Sequence, residues 1–264
     1  MVRNDYIPFP SKILEVIKHT EIEYTFRMAF RGDVKPGQFF EVSIPKYGEA
    51  PISVSGIGDG FVDLTIRRVG KVTNEVFEHY AGDILLLRGP YGNGFNVKEY
   101  HGKHLWVITG GTGVAPVRAL IDYFTRNIGA CNSLTILSSF KKEEDILFRA
   151  DYNRWALTAQ VLVTLTRETN EHGFLSGRVT EHLSALPLVN AKQTAVVITG
   201  PHTLMHTTAE LLCARGIPEK NIWISEERKM CCGLGKCGHC KVNDTYICLD
   251  GPVFNYTRGK TLID

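Results

Sequence analysis

Residues 104–124, HLWVITGGTGVAPVRALIDYF, join an apolar run to a helical pattern through a cluster of glycines. The run 104–110 is typical of a strand that is buried on both faces. The apolar residues of the second half share one helical face: Val114, Val117, Leu120, Ile121 and Phe124. A buried strand, a glycine turn and an amphipathic helix in this order predict an α/β domain.

The chain downstream of this stretch repeats the alternation of strands and helices. Further buried-strand patterns alternate with helical stretches such as 203–216. They occur at 133–139, 159–166, 194–200 and 221–227. Strands that alternate with helices predict a parallel, doubly wound sheet.

The chain upstream of this stretch has a different pattern. Short apolar runs are separated by turn residues at 39–45, 51–57, 61–69 and 83–90. This spacing is typical of a small barrel or sandwich. The predicted fold class is therefore a β-barrel plus α/β, with a β-barrel domain at 1–100, a doubly wound α/β domain at 101–224 and a cysteine-rich tail at 225–264.

Composition limits the classes of function. The 264 residues are 44% hydrophobic and 22% charged, as in a soluble globular protein that buries a core without disulfides. A net charge of +2 indicates neither a nucleic-acid partner nor a membrane surface. No apolar run approaches the length of a membrane span, and the first residues lack a signal-peptide pattern. We expect a cytoplasmic protein, in which clustered cysteines bind metal or carry redox chemistry.

Two glycine loops are candidate nucleotide sites. In the first, Gly110, Gly111, Thr112 and Gly113 lie between a strand and a helix whose free N–H groups suit a pyrophosphate. Gly200 and Pro201 repeat the design after a later strand, and ligands of open α/β sheets bind at such strand ends. The alternative is a pair of tight turns without a ligand.

Two motifs in the predicted barrel are candidates for a second cofactor site. In APISVS (50–55), backbone groups and the Ser53 hydroxyl suit hydrogen bonds to a ring system. In IRRVGKVT (66–73), arginines and a threonine suit phosphates. The candidate residues are Pro51, Ile52, Ser53, Ile66, Arg67, Arg68, Gly70, Val72 and Thr73. The alternative is that these are ordinary strand residues.

The segment MCCGLGKCGHC (230–240) carries the metal-binding pattern. Cys232, Cys237 and Cys240 have plant-type [2Fe–2S] spacing, and Cys248 is the candidate fourth ligand. The intervening glycines allow the chain to turn N–H groups toward sulfur. A structural zinc site and disulfides or spare thiols are the alternatives, although zinc sites prefer two closely spaced pairs.

Three further cysteines are not predicted ligands. Cys131 and Cys213 are expected to be core thiols, and Cys231 has no assigned role.

These motifs together resemble a known family. A barrel followed by an α/β domain with GGTGVAP is similar to the ferredoxin–NADP⁺ reductase superfamily. The segment EERKMCCGLGKCGHC, with LDGPVF after it, resembles the electron-transfer subunits of dihydroorotate dehydrogenase. Within that group, GEAPISVS, VGKVT, GPYGNGF, GKCGHC and LDGPVFNY most resemble the B subunits of anaerobic sulfite reductases.

The resemblance implies FAD in the barrel, NADH or alternatively NADPH on the α/β domain, and a [2Fe–2S] cluster in the tail. The flavin motif R-P-x-S matches at Pro51 and Ser53, with Ala50 at the arginine position. The G-x-G-T turn matches at Gly70 and Thr73, with Val72 replacing the second glycine. The GPYGNGF loop (89–95) is expected to leave room for the adenosine half of FAD.

The implied activity is electron transfer from NADH through FAD and the cluster to a partner subunit that reduces sulfite. The implied partners are the iron–sulfur and sirohaem-type subunits of a sulfite reductase complex, with no nucleic acid and no membrane. The alternatives are an electron-transfer subunit of dihydroorotate dehydrogenase or another oxidoreductase, and a zinc-bearing binding module.

Overall fold

The chain is described by a computed structural model over residues 4–79, 84–167 and 173–262. It divides into two compact units. The first comprises Met1–Phe95 and Glu227–Pro252, and the second comprises Asn96–Glu226 and Val253–Asp264. Each unit is therefore assembled from two separate stretches of sequence. The three-domain division predicted from the sequence is a different partition and stays a prediction.

The first unit contains a closed antiparallel barrel with the strand order β1-β2-β5-β4-β3-β6. Its six strands are β1 (Phe9–Lys18), β2 (Glu23–Ala29), β3 (Phe39–Ile44), β4 (Gly48–Gly58), β5 (Phe61–Arg67) and β6 (Ile84–Tyr91). Helix α1 (Lys71–His79) follows β5. The predicted barrel is thus confirmed, with β1, β2 and α1 in addition to the strands expected from the sequence.

The barrel interior is filled by side chains that alternate along the strands. Phe26, Phe40, Leu64 and Ile66 are fully buried in this cluster. In β4, Ile52 and Val54 also face the interior, and Pro51 and Ser53 face outward because side chains alternate along a strand. The interior is therefore a packed core, so a barrel cofactor must bind to the outer face.

The second unit contains a seven-stranded sheet with the order β10-β9-β8-β7-β11-β12-β15. Its strands are β7 (His104–Gly110), β8 (Ser133–Phe140), β9 (Gln160–Leu165), β10 (Leu175–Ser176), β11 (Thr194–Thr199), β12 (Ile222–Ser225) and β15 (Val253–Asn255). All neighbours are parallel except β15, which pairs antiparallel with β12. The order reverses between β7 and β11, as expected for a doubly wound sheet.

Helices connect the strands of this sheet. They are α2 (Val114–Arg126), α3 (Arg149–Trp155), α4 (Val179–His182), α5 (His202–Ala214) and, after β15, α7 (Tyr256–Gly259). Apolar residues of α2 such as Val117 and Leu120 are fully buried, as its periodicity predicts. Among the described residues, no helix has the length and apolar character needed to cross a membrane.

The cysteine segment lies between β12 and β15 in sequence but belongs to the barrel unit. It contains β13 (Lys241–Val242), β14 (Thr245–Tyr246) and the short helix α6 (Ile247–Asp250). The predicted tail therefore contributes to both units, because Val253–Asp264 completes the α/β unit.

Candidate cofactor sites

The cysteine segment brings the four predicted metal ligands together. The thiol of Cys232 interacts with that of Cys237, the thiol of Cys248 interacts with those of Cys240 and Cys232, and Cys248 N lies 3.5 Å from Cys240 Sγ. Cys240 and Cys248 are buried, whereas Cys237 is exposed. A group of four thiols is the donor set for an iron–sulfur cluster or for structural zinc.

Backbone N–H groups point toward these sulfur atoms. Leu234 N and Lys236 N each lie 3.4 Å from Cys232 Sγ, and Gly235 N lies 3.2 Å from Cys248 Sγ. The turn requires the left-handed backbone of Gly233, Gly235 and Gly238, whose φ angles are 70°, 67° and 83°. Such N–H···S contacts stabilise thiolate sulfur and tune a bound cluster, so the segment fits the metal group.

These contacts also shift the protonation of Cys232. Burial would raise the pKa of its thiol, but hydrogen bonds from the backbones of Lys236, Leu234 and Cys237 outweigh burial and lower the pKa to about 6. The thiolate is the form that binds metal. The hydrogen bonds of its own loop thus favour the thiolate form of Cys232, which is the form that a metal ligand needs.

Of the remaining cysteines, Cys231 lies beside this group, since burial and then the charge of Cys237 raise the pKa of its thiol. Cys231 is exposed, and Cys131 and Cys213 are half-buried in the other unit. Burial raises the pKa of both half-buried thiols. Cys131 and Cys213, which were expected to be core thiols, are thus only partly buried, and the expectation that none of the three cysteines is a ligand stays a prediction.

Arg88 of β6 anchors the cysteine segment to the barrel. Its guanidinium donates to the carbonyl oxygens of Cys232 at 2.8 Å and Cys231 at 2.9 Å. It also donates to Glu49 Oε1 at 2.9 Å and to the Tyr91 hydroxyl at 2.8 Å. Arg88 is 4% exposed. One buried side chain therefore joins β4, β6 and the first metal ligand.

Residues at and just after the end of β6 also contact the cysteine segment. Asn93 N donates to Gly251 O at 2.7 Å, and a Cβ atom on Gly92 would lie 2.6 Å from Pro252. A Cβ atom on Gly233 would lie 2.6 Å from the Tyr91 ring. The GPYGNGF loop thus packs against the cysteine segment. That this loop leaves room for the adenosine half of FAD stays a prediction.

Glu41 of β3 is an acidic side chain buried close to this anchor. It pairs across strands with both Arg88 and Pro51, and it is fully buried. Neither of its carboxyl oxygens has a hydrogen-bond partner among the residues that the structure describes. Burial, followed by the charge of Glu49, raises the pKa of Glu41 to about 8. Glu41 is therefore mostly protonated at neutral pH.

The predicted flavin residues of β4 and β5 fall into two groups. Pro51 and Ser53 are half-buried on the outer face of β4. The side chains of Ile52 and Ile66 belong to the barrel core. Only their backbone groups are therefore available to a ligand. The outer face of β4 fits a planar ring placed along the strand.

The predicted phosphate ligands lie near the start of α1, and their side chains already form ion pairs or hydrogen bonds within the protein. Arg67 pairs with Glu23 at 3.2 Å, and Arg68 pairs with Glu78 at 3.4 Å. The Thr73 hydroxyl accepts hydrogen bonds from the backbone of Val69 and Gly70.

Both arginines are exposed, so a phosphate could displace these surface ion pairs, which contribute little to stability. Val72 packs against the barrel core, and a Cβ atom on Gly48 would lie 3.6 Å from it. These assignments remain predictions.

The two glycine loops of the α/β unit lie side by side at the carboxyl ends of β7 and β11. Thr199 Oγ1 donates to Gly113 O at 2.6 Å. A Cβ atom on Gly113 would lie 2.7 Å from the Gly200 backbone, and one on Gly110 would lie 2.6 Å from Leu204. Glycine is therefore required for the two loops to approach each other, at the strand reversal where such sheets bind ligands.

Gly111 has a different environment. Its φ of 54° is left-handed, and nothing lies within 4 Å of a Cβ atom built on it. Thr112 is half-buried beside it, and Pro201 is exposed on the second loop. Helix α2 starts at Val114 and has no acidic residue in its first turn. Open space before a helix N-terminus suits a pyrophosphate.

Sequence reasoning missed Arg88, Glu49 and Glu41. A signal was present, since Glu41 interrupts the apolar run FFEVSI and Arg88 follows ILLL. Charged residues in buried strands are uncommon. The partners of Arg88 could not be read from the sequence, because Arg88 and Cys232 are 144 residues apart.

Comparisons with known proteins match two parts of the chain to known families. The family described as "Oxidoreductase NAD-binding domain" matches residues 107–210. The family described as "Iron-sulfur cluster binding domain of dihydroorotate dehydrogenase B" matches residues 227–258. The first match contains both glycine loops, and the second contains all four predicted metal ligands.

Relatives extend over nearly the whole chain. Sulfhydrogenase 1 subunit gamma of Pyrococcus furiosus is 37% identical, over 96% of this chain and 92% of the relative. A probable dihydroorotate dehydrogenase B (NAD(+)) electron transfer subunit of Thermoplasma volcanium is 32% identical, over 92% and 88%. A solved NADH-dependent reduced ferredoxin–NADP oxidoreductase shares the fold with a TM-score of 0.76 and 22% identity, over 94% and 88%.

The fold and the cysteine site define an NAD-binding iron–sulfur oxidoreductase subunit with a ferredoxin–NADP⁺ reductase-like architecture. More closely, the chain belongs to the family that contains the sulfhydrogenase gamma subunits and the electron transfer subunits of dihydroorotate dehydrogenase B. The predicted cofactors, an iron–sulfur cluster, NADH and the FAD of the reductase fold, are supported by these matches.

Proposed function

We propose that this chain takes electrons from NADH and delivers them one at a time, through FAD and the four-cysteine cluster, to a separate catalytic subunit. The observation that carries the proposal is the Arg88 anchor. It joins Glu49, two residues before the flavin-motif residue Pro51, to the carbonyl oxygens of Cys231 and Cys232. A fixed distance between two redox groups is what electron transfer between them requires. FAD, when bound, supplies the change from two-electron to one-electron chemistry.

The residues of the chain have distinct roles in this function. Gly111 and the N-terminus of α2 bind the pyrophosphate of NADH, and Pro51 and Ser53 hold the flavin against β4. Arg88 positions the cysteine segment, and the N–H groups of its turns stabilise sulfur. Cys237 is the exposed metal ligand. We therefore place the approach of the partner subunit on the Cys237 side of the segment.

The partner that we propose is a sulfite-reducing subunit. The support is the motif set that resembles sulfite reductase B subunits, above all GKCGHC and LDGPVFNY. The similarity to a sulfhydrogenase gamma subunit and to dihydroorotate dehydrogenase subunits supports a rival partner of either of those kinds. Co-purification of the native complex separates these candidates, because only a sulfite reductase partner should bring sirohaem and sulfite-dependent NADH oxidation.

The electron path is tested with two serine variants. Cys237→Ser should lose most of the cluster, since serine is a poorer ligand to iron than a thiolate. It should keep NADH-driven reduction of a small dye that takes electrons directly from FAD, but lose NADH-driven delivery to the catalytic subunit. The matched control Cys231→Ser removes an exposed neighbouring thiol and should retain both activities.

Parental delivery by Cys237→Ser would show that the cluster is not on the path. The visible spectrum of the purified protein, with iron and sulfide analysis, separates this function from a zinc-bearing binding module, because zinc–thiolate sites are colourless.

A further inference from the structure

A second group of metal-binding side chains lies in the α/β unit, on and beside helix α5. His202 and His206 are one helical turn apart on α5, and Glu226 directly follows β12. One ligand atom of each residue lies within 4.8 Å of the other two. All three residues belong to Asn96–Glu226, whereas the four cysteine ligands belong to the barrel unit. The group therefore shares no residue with the cluster site.

The distance between two of these ligand atoms suits a small tetrahedral cation. His206 Nε2 and Glu226 Oε1 are 3.2 Å apart. Two ligand atoms at about 2.0–2.1 Å from a tetrahedral zinc are about 3.3 Å from each other. The imidazole rings of His202 and His206 stack with their centroids 4.0 Å apart. Histidines at i and i+4 share one helical face, so both rings can reach the same ion.

Burial and charge favour a cation at this position. His206 and Glu226 are 8% and 4% exposed. The two buried side chains offer one imidazole nitrogen and one carboxylate oxygen to an ion. Neutral imidazole is the form that binds metal. The Glu226 carboxylate contributes negative charge at this position, and buried charges in proteins are paired or coordinate metals.

The exposure of His202 supplies the access that a metal site needs. His202 is exposed at the first residue of α5. Its ring can close onto the ion by side-chain rotation, and water can fill the fourth position from the same side. His202 also directly follows Pro201 of the second glycine loop. An ion held here would fix the start of α5, and with it that loop, to the end of β12.

We propose that His202, His206 and Glu226 form a binding site for a divalent transition metal of the zinc type. Two imidazole nitrogens, one carboxylate oxygen and one water complete its coordination. Nitrogen and oxygen donors of this kind suit Zn²⁺, and they differ from the four thiolates that hold the cluster.

The site is tested by titrating Zn²⁺ into the cluster-loaded, FAD-bound protein under anaerobic conditions, with calorimetric detection. The parent should bind one equivalent, with no change in the visible absorption of the cluster. Loss of a group that only orients a metal ligand lowers metal affinity about 10–100-fold. Loss of a ligand itself should cost at least as much, so we expect His202→Ala to weaken Zn²⁺ binding by at least about tenfold. His202 is exposed, so this variant should fold normally. Glu226→Gln should have the same effect.

Two controls and one spectroscopic measurement complete the test. His101→Ala and Glu144→Gln change an exposed histidine and an exposed acid of the same unit, and both should bind Zn²⁺ as the parent does. The zinc X-ray absorption spectrum of the one-equivalent complex should show only nitrogen and oxygen neighbours. Absence of Zn²⁺ binding by the parent, unchanged affinity in His202→Ala, or sulfur neighbours at about 2.3 Å would each overturn the proposal.

Discussion

Arg88 shows how much of the site depends on a single residue. A guanidinium carries five N–H donors in a fixed plane, and here it meets Glu49, the Tyr91 hydroxyl and the carbonyl oxygens of Cys231 and Cys232. A lysine has the same charge but cannot reach acceptors on both sides at once. The shape of the side chain, more than its charge, therefore holds the cysteine segment on the barrel.

We expect Arg88→Lys to weaken the attachment of the cysteine segment. Removing one partner of a buried ion pair costs about 3–5 kcal/mol, and the conservative change should cost part of that. The iron content of the purified protein should fall, and its Tm should decrease by several degrees. Arg31→Lys, an exposed arginine of the same unit, is the control and should change neither quantity. Full iron content in Arg88→Lys would contradict the positioning role.

Glu41 should make stability depend on pH in an unusual direction. Its pKa rises from 4.5 to about 8 in the folded protein, chiefly through burial. Between these values the unfolded chain has released the proton that the folded protein retains, so the contribution of Glu41 to stability falls as the pH rises. Glu41→Gln removes this titration. The Tm of the variant relative to the parent should therefore increase between pH 5 and pH 8.5, and a constant difference would contradict the assignment.

At the scale of elements, the strand–glycine–helix units were the most predictable part of the fold. The run HLWVITG and the helix after it were identified because apolar periodicity and glycine punctuation agreed. Strands β1 and β2 were missed because their apolar residues are interspersed with charged ones, as in SKILEVIK. Helix α1 was missed because its nine residues are too few for a clear period. The contact between the two glycine loops depends on sheet order, which no local pattern contains.

The proposed binding of NADH by the first glycine loop can be tested with two substitutions of Gly111 whose side chains have nearly the same shape. Asparagine and aspartate tolerate the left-handed backbone of Gly111, and the space around its Cβ position is open. If the pyrophosphate of NADH lies there, Gly111→Asp should weaken NADH binding much more than Gly111→Asn, because it adds a negative charge. The dissociation constants of both variants for NADH measure the effect. Equal affinities would show that the loop is only a turn.

At the scale of the whole molecule, the cysteine segment is an insertion between two neighbouring strands. Ser225 of β12 pairs with Val253 of β15, and residues 227–252 lie between them in sequence. The sequence predicted a cysteine-rich, metal-binding segment here, but it predicted a terminal tail at 225–264 and not an insertion. The return of the chain to the α/β sheet was not predicted, because VFN is too short for a strand pattern and its pairing is non-local.

This topology predicts that the insertion can be removed. Replacing residues 227–252 with a short glycine-containing turn should leave β12 and β15 paired, since hairpin turns join antiparallel neighbours. The shortened protein should lose its iron but retain the NADH affinity of the parent, which calorimetry and iron analysis will measure. Loss of NADH binding would show that the α/β unit depends on the inserted segment.

The discontinuity of the barrel unit also has a consequence for biosynthesis. The ribosome produces Met1–Phe95 first, then the α/β stretch Asn96–Glu226, and only then the cysteines. During that interval the newly made barrel contains Arg88 without the carbonyl oxygens of Cys231 and Cys232. Because domains begin to fold as they emerge, the six strands can close early, while iron delivery must wait until most of the chain has been translated. Assembly of the metal centre is therefore a late step, performed on a largely folded protein.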